Sequence, residues 1–242
     1  MDELIGRLRG ARSVLVLTGS GISAESGLPT FRGIGGLWRN HRVEELASPE
    51  GFARDPELVW SWYNQRLAAH HRAQPNAGHL ALATLETHYA DFTLATQNVD
   101  SLHLRAGSRN LLELHGNLRQ ARCAGCDVRR PLDASGLPLE DIAHACGGRM
   151  RPDIVWFGEA LPRATWVRAH EAAARADVIL VIGTSAVVYP AAALATAYAA
   201  NAFVAEINPE ETPISGRVDC VLRETAARAL PRIVAALAKD RP

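Results

Sequence analysis

The fold is decided by one stretch near the start of the chain, Val14-Leu-Val-Leu-Thr-Gly-Ser-Gly-Ile-Ser-Ala-Glu-Ser-Gly-Leu-Pro-Thr-Phe-Arg32. Its aliphatic start predicts a buried strand that stops at Thr18. Gly19 and Gly21 follow at once, and Ala24 stands where the pattern G-x-G-x-x-G/A has its third small residue. Two glycines after a strand let the backbone turn tightly and approach a diphosphate closely. An ordinary turn between a strand and a helix has the same short pattern, so further signals are needed.

The dinucleotide pattern is incomplete in one respect. A standard site has an acidic residue at the end of the next strand, where it holds a ribose. After Ser26 the chain instead reads Gly27-Leu-Pro-Thr-Phe-Arg-Gly-Ile-Gly-Gly-Leu-Trp38, a glycine-rich run that is typical of a loop. Long loops inside an α/β unit are usually functional or disordered. Since Phe31 and Arg32 are unusual in a plain linker, we interpret this loop as a flap over a bound nucleotide.

The composition is that of one α/β domain with small insertions. The chain has 242 residues, 48% of them hydrophobic, and a formal net charge of +0. This content can bury a sizeable core, and the neutral charge favours neither nucleic acid nor an anionic membrane. No apolar run is long enough to span a bilayer, and the acidic residues Asp2 and Glu3 differ from the basic start of a secretory leader. We therefore expect a cytoplasmic protein, monomeric or weakly oligomeric, with no nucleic-acid or membrane partner.

Strands alternate with helices over most of the chain, and polar loops follow the strands. This order predicts an α/β fold with a Rossmann-like, doubly wound parallel sheet. Residues 39–74 are predicted to be largely helical, and residues 118–151 are poor in aliphatic residues but contain Cys123-x-x-Cys126. We expect these two regions to form a smaller inserted domain, a helical module plus a zinc-ribbon-like module. The main domain would then consist of residues 1–38, 75–117 and 152–242.

Polar residues follow several predicted strands, which is where parallel sheets bind ligands. They are Gln97-Asn98-Val99-Asp100, Gly183-Thr184-Ser185 and Asn208. Asn98 and Asp100 would equally serve as caps of a helix that begins near Ser101. His115 follows another strand, and a lone histidine there is more often structural than catalytic. The glycine after it and the absence of a helix to cap favour catalysis.

Tyr63 and Arg66 share one face of a helix predicted from about Pro56 to Ala73, because they are three residues apart. In one interpretation, Tyr63 is a core residue, together with Trp60 and Trp62, and Arg66 is a solvated charge. In the other, the phenol and the guanidinium project together into a pocket, where they suit a carboxylate. The helix by itself favours the first interpretation.

The run from Gly19 to Arg32 resembles the cofactor loop of the sirtuins, the NAD-dependent protein-lysine deacylases, which more often have Ala at the place of Ser20. The resemblance recurs in Gln97–Asp100 and in Leu114-His115-Gly116, and it covers nearly the whole chain. It implies that NAD is consumed as a co-substrate and that acylated lysines of proteins or peptides are the second substrate. The acyl oxygen would attack the nicotinamide ribose, and nicotinamide would leave. His115 would then take a proton from a ribose hydroxyl, and the products would be free lysine and O-acyl-ADP-ribose.

The resemblance also implies a role for each matching residue. His115 would be the general base, and Asn98 would orient a water or the ribose. The cofactor-binding residues would be Gly19, Ser20, Gly21, Ala24, Thr30, Phe31, Arg32, Gln97, Asn98, Asp100, Gly183, Thr184, Ser185, Asn208, Thr225 and Ala226. The substrate-binding residues would be Tyr63, Arg66, Val155, Trp156, Phe157, Gly158, Glu159 and Val187.

Two of these matches refine the expectation. Residues 151–159 resemble the segment that pairs with the substrate backbone as an added strand, although a core strand fits the same residues. Tyr63-x-x-Arg66 resembles the signature of the sirtuin class that removes acidic acyl groups such as succinyl and malonyl. With that resemblance, the pocket interpretation of Tyr63 and Arg66 becomes the favoured one.

The metal site departs from the family pattern. Cys123-x-x-Cys126 has the spacing of half a structural zinc site, and the family completes it with a second Cys-x-x-Cys. Here the matching positions are Ala143 and Cys146, so one thiolate is missing. His144 is the candidate for the fourth ligand. Zinc held by these four residues, weak zinc binding and loss of the metal all stay open.

Three other functions fit parts of these patterns. A mono-ADP-ribosyltransferase on the same scaffold would leave ADP-ribose on protein. A hydride-transferring dehydrogenase is disfavoured by the missing acidic residue and the irregular flap. A non-catalytic module that binds NAD or ADP-ribose would have no need of the base His115.

Overall fold

The computed structural model describes residues 1–30, 37–38, 41–196 and 201–239. Phe31 and Arg32, for which the sequence predicts a cofactor role, lie outside the described residues. The strands are β1 Ser13–Thr18, β2 Leu37–Trp38, β3 His41–Arg42, β4 Asp91–Thr96, β5 Leu111–Glu113, β6 Gly116–Cys123, β7 Arg129–Pro131, β8 Met150–Ile154, β9 Val178–Ile182, β10 Phe203–Ile207 and β11 Cys220–Leu222. The α-helices are α1 Asp2–Gly10, α2 Val43–Leu46, α3 Pro49–Arg54, α4 Pro56–Arg72, α5 Ala77–Glu86, α6 Leu102–Arg105, α7 Arg163–Arg175 and α8 Ala226–Ala238. Short 3₁₀-helices span Ser20–Ser26, Leu139–Asp141 and Ala191–Ala195.

The main sheet has six parallel strands in the order β11-β10-β9-β1-β4-β5. Counted along the chain, this is the doubly wound order 3-2-1-4-5-6, and the direction of winding reverses between β1 and β9. Ligands of such sheets bind at the carboxyl ends of the strands beside this reversal. The predicted Rossmann-like fold is confirmed.

Both faces of the sheet are covered, which is why its central strands are continuously apolar. All six residues of β1 are buried. Val14 and Val16 point into a core cluster that includes residues of α1, α5 and α8. Leu15 and Leu17 point into a second cluster on the opposite face, against α7. This alternation fixes the register of β1 and so fixes where its carboxyl end meets its neighbours.

A smaller antiparallel sheet, with strand order β7-β6-β8, packs against the helices α3 and α4. The two share a hydrophobic cluster, and the indole N–H of Trp60 in α4 donates a 2.8 Å hydrogen bond to the carbonyl of Met150 in β8. Asp55 caps α4, because its carboxylate accepts from the amide of Leu58 at 2.9 Å. The helical module and the cysteine-containing module therefore share one core.

Two sequence predictions of secondary structure need correction. The alanine-rich composition after Pro190 predicts a helix that starts there, but the described part of this segment is a 3₁₀-helix over Ala191–Ala195 whose residues are all buried. Packing on every side, more than helix propensity, decides the conformation of such a segment. The run Arg217-Val-Asp-Cys-Val-Leu222 predicts the last strand, but that strand, β11, begins only at Cys220. The amide of Arg217 is used in a turn, where it donates to the carbonyl of Ile214.

Candidate functional site

Glycines bring the ends of β1 and β9 into direct contact at the reversal of the sheet. The amide of Gly19 donates to the carbonyl of Ile182 at 3.1 Å, and that of Gly21 donates to the carbonyl of Gly183 at 2.7 Å. A Cβ on Gly21 would lie 2.7 Å from the backbone of Gly183, whose own φ of 56° is in the left-handed region. The glycine loop therefore first allows two strand ends to pack together at the carboxyl edge of the sheet, where sheets of this kind bind ligands.

The loop after β4 is tied to the glycine loop by buried polar groups. The side-chain amide of Asn98 donates to the carbonyl of Gly19 at 3.1 Å. The hydroxyl of Ser23 donates to one oxygen of the Asp100 carboxylate at 2.7 Å, and the other oxygen accepts from the amide of Leu102 at 2.9 Å. Burial raises the pKa of the Asp100 carboxyl, and these two hydrogen bonds oppose the shift. Asp100 thus does cap α6, as one interpretation expected, while it also fixes the glycine loop.

Three strand ends meet at Thr184. Gln97, after β4, donates from Nε2 to the Thr184 hydroxyl at 2.9 Å. Asn208, after β10, donates from Nδ2 to the Thr184 carbonyl at 3.0 Å. Predicted cofactor residues from the ends of β4, β9 and β10 are therefore in mutual contact. Ser185, the residue after Thr184, is half-buried.

The remaining predicted cofactor residues lie around the glycine loop and α8. Ser20 and Ala24 lie in the 3₁₀-helix that follows Gly19, and Ala24 is exposed. Thr30 is the last described residue before residue 37. Thr225 and Ala226 are at the start of α8, and the Thr225 hydroxyl is buried without a hydrogen-bond partner among the described residues. A hydroxyl in this state is suited to a polar ligand, which fits a nucleotide at this edge of the sheet.

His115 follows β5 and is held in one tautomer. Its Nδ1 atom lies 2.9 Å from the carbonyl oxygen of Gln97. Since a carbonyl only accepts, Nδ1 carries the hydrogen and the lone pair is on Nε2. Burial lowers the pKa of His115, and the Gln97 carbonyl opposes this shift. The ring is therefore a neutral base at neutral pH.

The segment after β8 is held close to His115. The amide of Val155 donates to the His115 carbonyl at 2.9 Å, and the amide of Phe157 donates to the carbonyl of Ala47, also at 2.9 Å. The strand β8 ends at Ile154, so Val155 onward is not paired within a sheet. Phe157 has 47% of its surface exposed and Val187 has 54%, so these two can meet a ligand directly. Gly158 has a φ of 85°, which turns the chain after Phe157.

Trp156 and Glu159, which the sequence assigns to substrate binding, have internal partners instead. Trp156 is buried, and its indole N–H donates to the hydroxyl of Tyr63 at 2.9 Å. The carboxylate of Glu159 accepts from the amide of Trp156 and from both terminal nitrogens of Arg151. Trp156 is therefore packed inside, whereas Glu159 stays partly exposed while its carboxylate is hydrogen-bonded within the protein.

Tyr63 combines features of both interpretations. It is buried, as a core residue would be, and so are Trp60 and Trp62. Arg66 lies one turn further along α4, half-buried, with its guanidinium carbon 5.1 Å from the ring centre of Trp62. Burial raises the pKa of Tyr63, and the nearby Arg66 opposes that shift. The phenol and the guanidinium are therefore electrostatic neighbours, as the three-residue spacing predicts.

Four side chains of the small sheet form a compact cluster that suits a metal ion. The ligand atoms of Cys123, Cys126, His144 and Cys146 all lie within 4.8 Å of one another. The sulfurs of Cys123 and Cys146 are 3.5 Å apart, and Nδ1 of His144 is 3.6 Å from the Cys126 sulfur. A tetrahedral zinc ion with bonds of about 2.3 Å to sulfur and about 2.0 Å to nitrogen requires separations of roughly 3.5–3.8 Å. The cluster fits zinc, with His144 at the place of the missing thiolate.

Several polar residues of the site were not assigned by the sequence analysis. Ser23 holds Asp100, and its hydroxyl is 3.4 Å from Nε2 of the buried His79. The hydroxyl of Thr18 donates to that of Thr96 at 2.8 Å and lies 2.9 Å from Nε2 of His103. The available signal was the concentration of Ser, Thr and His next to the strand ends, a composition that a purely structural edge does not need.

The fold and these contacts define a class of protein: a Rossmann-type nucleotide-binding protein with a neutral histidine base at the strand ends. A model described as "Sir2 family" matches residues 19–190, and the chain belongs to that family. It is 49% identical over 235 residues to a protein of Thermus thermophilus called "NAD-dependent protein deacylase", covering 95% of this chain and 92% of that protein.

Solved structures agree with this membership. A Sir2 homologue in complex with NAD has a TM-score of 0.92 and 44% identity, with 99% of this chain and 94% of that chain covered. A more distant Sir2 protein, solved with a p53 peptide and NAD, has a TM-score of 0.85 and 29% identity, with 99% of each chain covered. No described helix of the present chain has the length and hydropathy to cross a membrane.

Proposed function

We propose that this chain removes acyl groups from lysine side chains of proteins in a reaction that consumes NAD, and that it prefers acidic acyl groups such as succinyl and malonyl. NAD-dependent deacylation is the activity in the name of the Thermus relative, and a peptide and NAD are bound in the distant Sir2 structure. Nothing in the part of the chain that the structure describes favours the mono-ADP-ribosyltransferase alternative over deacylation.

The orientation of His115 is the observation that carries the deacylase assignment. Its Nδ1–H is held by Gln97, so the lone pair of Nε2 is available to accept a proton from a ribose hydroxyl. Gln97 also bonds to Thr184, one of the predicted nucleotide contacts. Gln97 therefore fixes both the orientation of the base and the hydroxyl of Thr184, next to which the ribose would lie. NAD, when bound, would supply the electrophilic ribose carbon that the acyl oxygen attacks, nicotinamide as the leaving group, and the ribose hydroxyl that finally carries the acyl group.

The acyl preference is supported by the two residues of α4. Arg66 is a cation next to the phenol of Tyr63, and a guanidinium with a phenol is a suitable pair for a carboxylate. Both residues belong to the same helix, so their spacing does not depend on a loop. An acidic acyl chain brings a carboxylate that the Arg66 guanidinium attracts, whereas a neutral acyl chain brings none, and this difference is the physical basis for discrimination.

We also propose that residues 39–74 and 118–151 act as one small domain, because a single hydrophobic core joins their elements. Zinc held by Cys123, Cys126, Cys146 and His144 would tie the turn after β6 to the turn before β8, which is a structural role. The arrangement of these cysteines as metal ligands, without disulfides, suits an enzyme that acts on cytoplasmic proteins.

The decisive experiment is mass spectrometry of one peptide sequence that carries acetyl-lysine or succinyl-lysine, incubated with the purified protein with and without NAD. We expect NAD-dependent loss of both groups, with nicotinamide released in equal amount, and a higher kcat/KM for the succinyl peptide. Faster loss of acetyl would keep the deacylase assignment and contradict the acidic-acyl preference. An intact peptide together with ADP-ribose attached to protein would contradict deacylation itself.

A further inference from the structure

The hydrogen bond between Trp156 and Tyr63 fixes the direction of the Tyr63 hydroxyl. An indole N–H can only donate, so the phenol oxygen must accept at this contact, where the distance is 2.9 Å. The hydrogen of the phenol cannot then point at Trp156. Tyr63 is 2% exposed and Trp156 is 3% exposed, so water does not compete for this bond.

Trp156 is itself prevented from turning. Its ring lies 3.5 Å from the guanidinium carbon of Arg151, and the ring of Phe52 packs against it with centroids 5.2 Å apart. The Trp156 amide donates to Glu159 at 2.8 Å, and Arg151 makes two hydrogen bonds to the same carboxylate. Side chain and backbone of Trp156 are thus held by the ion pair of the buried Arg151 with the half-buried Glu159.

The same segment is attached to the catalytic base. Val155, the residue before Trp156, donates its amide hydrogen to the carbonyl of His115. Two consecutive residues therefore connect the base with the phenol that stands beside Arg66. The position of the Tyr63 hydroxyl relative to the base is set by this short stretch of chain and by α4.

We propose that Trp156 is a positioning residue for acyl recognition. Its indole N–H donates to the Tyr63 oxygen, so that the phenol hydrogen points away from Trp156 and is donated to the acyl carboxylate beside Arg66. This inference rests on the proposed preference for acidic acyl groups. A phenol whose oxygen already accepts from the indole keeps its own hydrogen free of that contact, so it can donate this hydrogen to the incoming anion. Because burial raises the pKa of Tyr63, the hydrogen is present throughout the range in which the enzyme works.

The test is Trp156→Phe, which keeps an aromatic ring and removes only the N–H and the second ring. We expect KM for the succinyl peptide to rise about tenfold, the size of one lost hydrogen bond to a charged group. We expect kcat, the KM for NAD and the kinetics on the acetyl peptide to change less than about twofold. Trp60→Phe is the matched control, because the Trp60 indole N–H bonds to Met150 in the same core, and its acyl selectivity should equal that of the wild type.

A double-mutant cycle separates positioning from packing. In a Tyr63→Phe background, Trp156→Phe should produce no further change in the ratio of succinyl to acetyl kcat/KM. If both peptides lose activity equally in Trp156→Phe, or if its effect persists without the Tyr63 hydroxyl, the inference is overturned. If Trp156→Phe fails to fold, Tyr63→Phe alone decides, since an unchanged ratio in that variant overturns the inference as well. A wild-type protein that prefers acetyl would instead overturn the proposed acyl class, so the two failures are distinct.

Discussion

Nδ1 of His115 lies 2.9 Å from the carbonyl oxygen of Gln97. This contact settles the tautomer of the imidazole, because the carbonyl needs a donor and Nδ1 must provide it. Gln97 also bonds to Thr184 through its side chain, so the base is anchored to the loop that ends β9. A base whose orientation is fixed before substrate binds loses little entropy on the way to the transition state.

Replacing His115 by Ala should remove catalysis and leave NAD binding largely intact. A general base contributes about 10²–10⁴ in rate, and we expect a loss of kcat in that range. The measurement is formation of the deacylated peptide, because nicotinamide leaves before His115 acts, with NAD affinity from calorimetry. A loss of NAD affinity as large as the loss of kcat would show that His115 is a binding residue instead.

The pH dependence of kcat should reflect the buried position of His115. Burial lowers the pKa of His115, so the neutral, active form persists to lower pH than for an exposed histidine at about 6.5. We therefore expect the acidic fall in activity to be centred below that value. An acidic limb centred at or above pH 6.5 would contradict this assignment.

Gly21→Ala should disturb the packing between the ends of β1 and β9. The new Cβ would lie 2.7 Å from the Gly183 backbone, so β1 and β9 would have to separate at their ends. We expect a weaker affinity for NAD and a lower melting temperature. Gly6→Ala is the control, because a Cβ at Gly6 in α1 meets nothing within 4 Å, and Ala favours a helix. Unchanged NAD affinity in Gly21→Ala would show that the loop tolerates the added methyl group.

Arg66→Met should lower kcat/KM for succinyl-lysine by about tenfold or more, since a charge-assisted hydrogen bond is lost, and should spare acetyl-lysine. Arg72→Met, at the exposed end of the same helix, is the matched control and should change neither value. An equal loss on both peptides would mean that Arg66 supports the fold through its contact with Trp62.

The sequence predicted the sheet well because its signals are local. The apolar run of β9 and the glycines after β1 depend only on neighbouring residues, and the doubly wound order follows from alternating strands and helices. Gln97, Thr184 and Asn208 were found for the same reason, since each one directly follows a strand or its first glycine.

The contacts behind the site were not predictable in this way. Trp156 and Tyr63 are 93 positions apart, and Ser23 and Asp100 are 77 positions apart. Such pairs depend on how whole elements pack, and no spacing rule within one element reports them. Glu159 illustrates the consequence: its motif position suggested contact with substrate, but Arg151 and the Trp156 amide occupy its carboxylate.

His144→Ala should lower the zinc content of the purified protein and reduce its melting temperature. Structural zinc contributes directly to folding, and three thiolates without a fourth protein ligand bind the ion less tightly. The measurement is zinc per chain by mass spectrometry after dialysis against a mild chelator. Cys126→Ser should behave similarly, whereas Cys220→Ser, which changes a cysteine outside the cluster, should retain zinc. Full zinc occupancy in His144→Ala would exclude this histidine as a ligand.

His70 should make the protein less stable in acid. Burial, with a further effect of the Arg66 charge, lowers the pKa of His70 from 6.5 to about 3. Below pH 6.5 the unfolded chain binds a proton that the folded chain does not, so the free energy of unfolding falls as the pH falls. At pH 5.5 the loss is about 1.4 kcal/mol for this one group. The free energy of unfolding, measured with urea at pH 7.5 and at pH 5.5, should fall less in His70→Gln than in the wild type. The difference between the two losses should be that amount. A His70→Gln loss equal to the wild-type loss would mean that His70 is protonated in the folded protein.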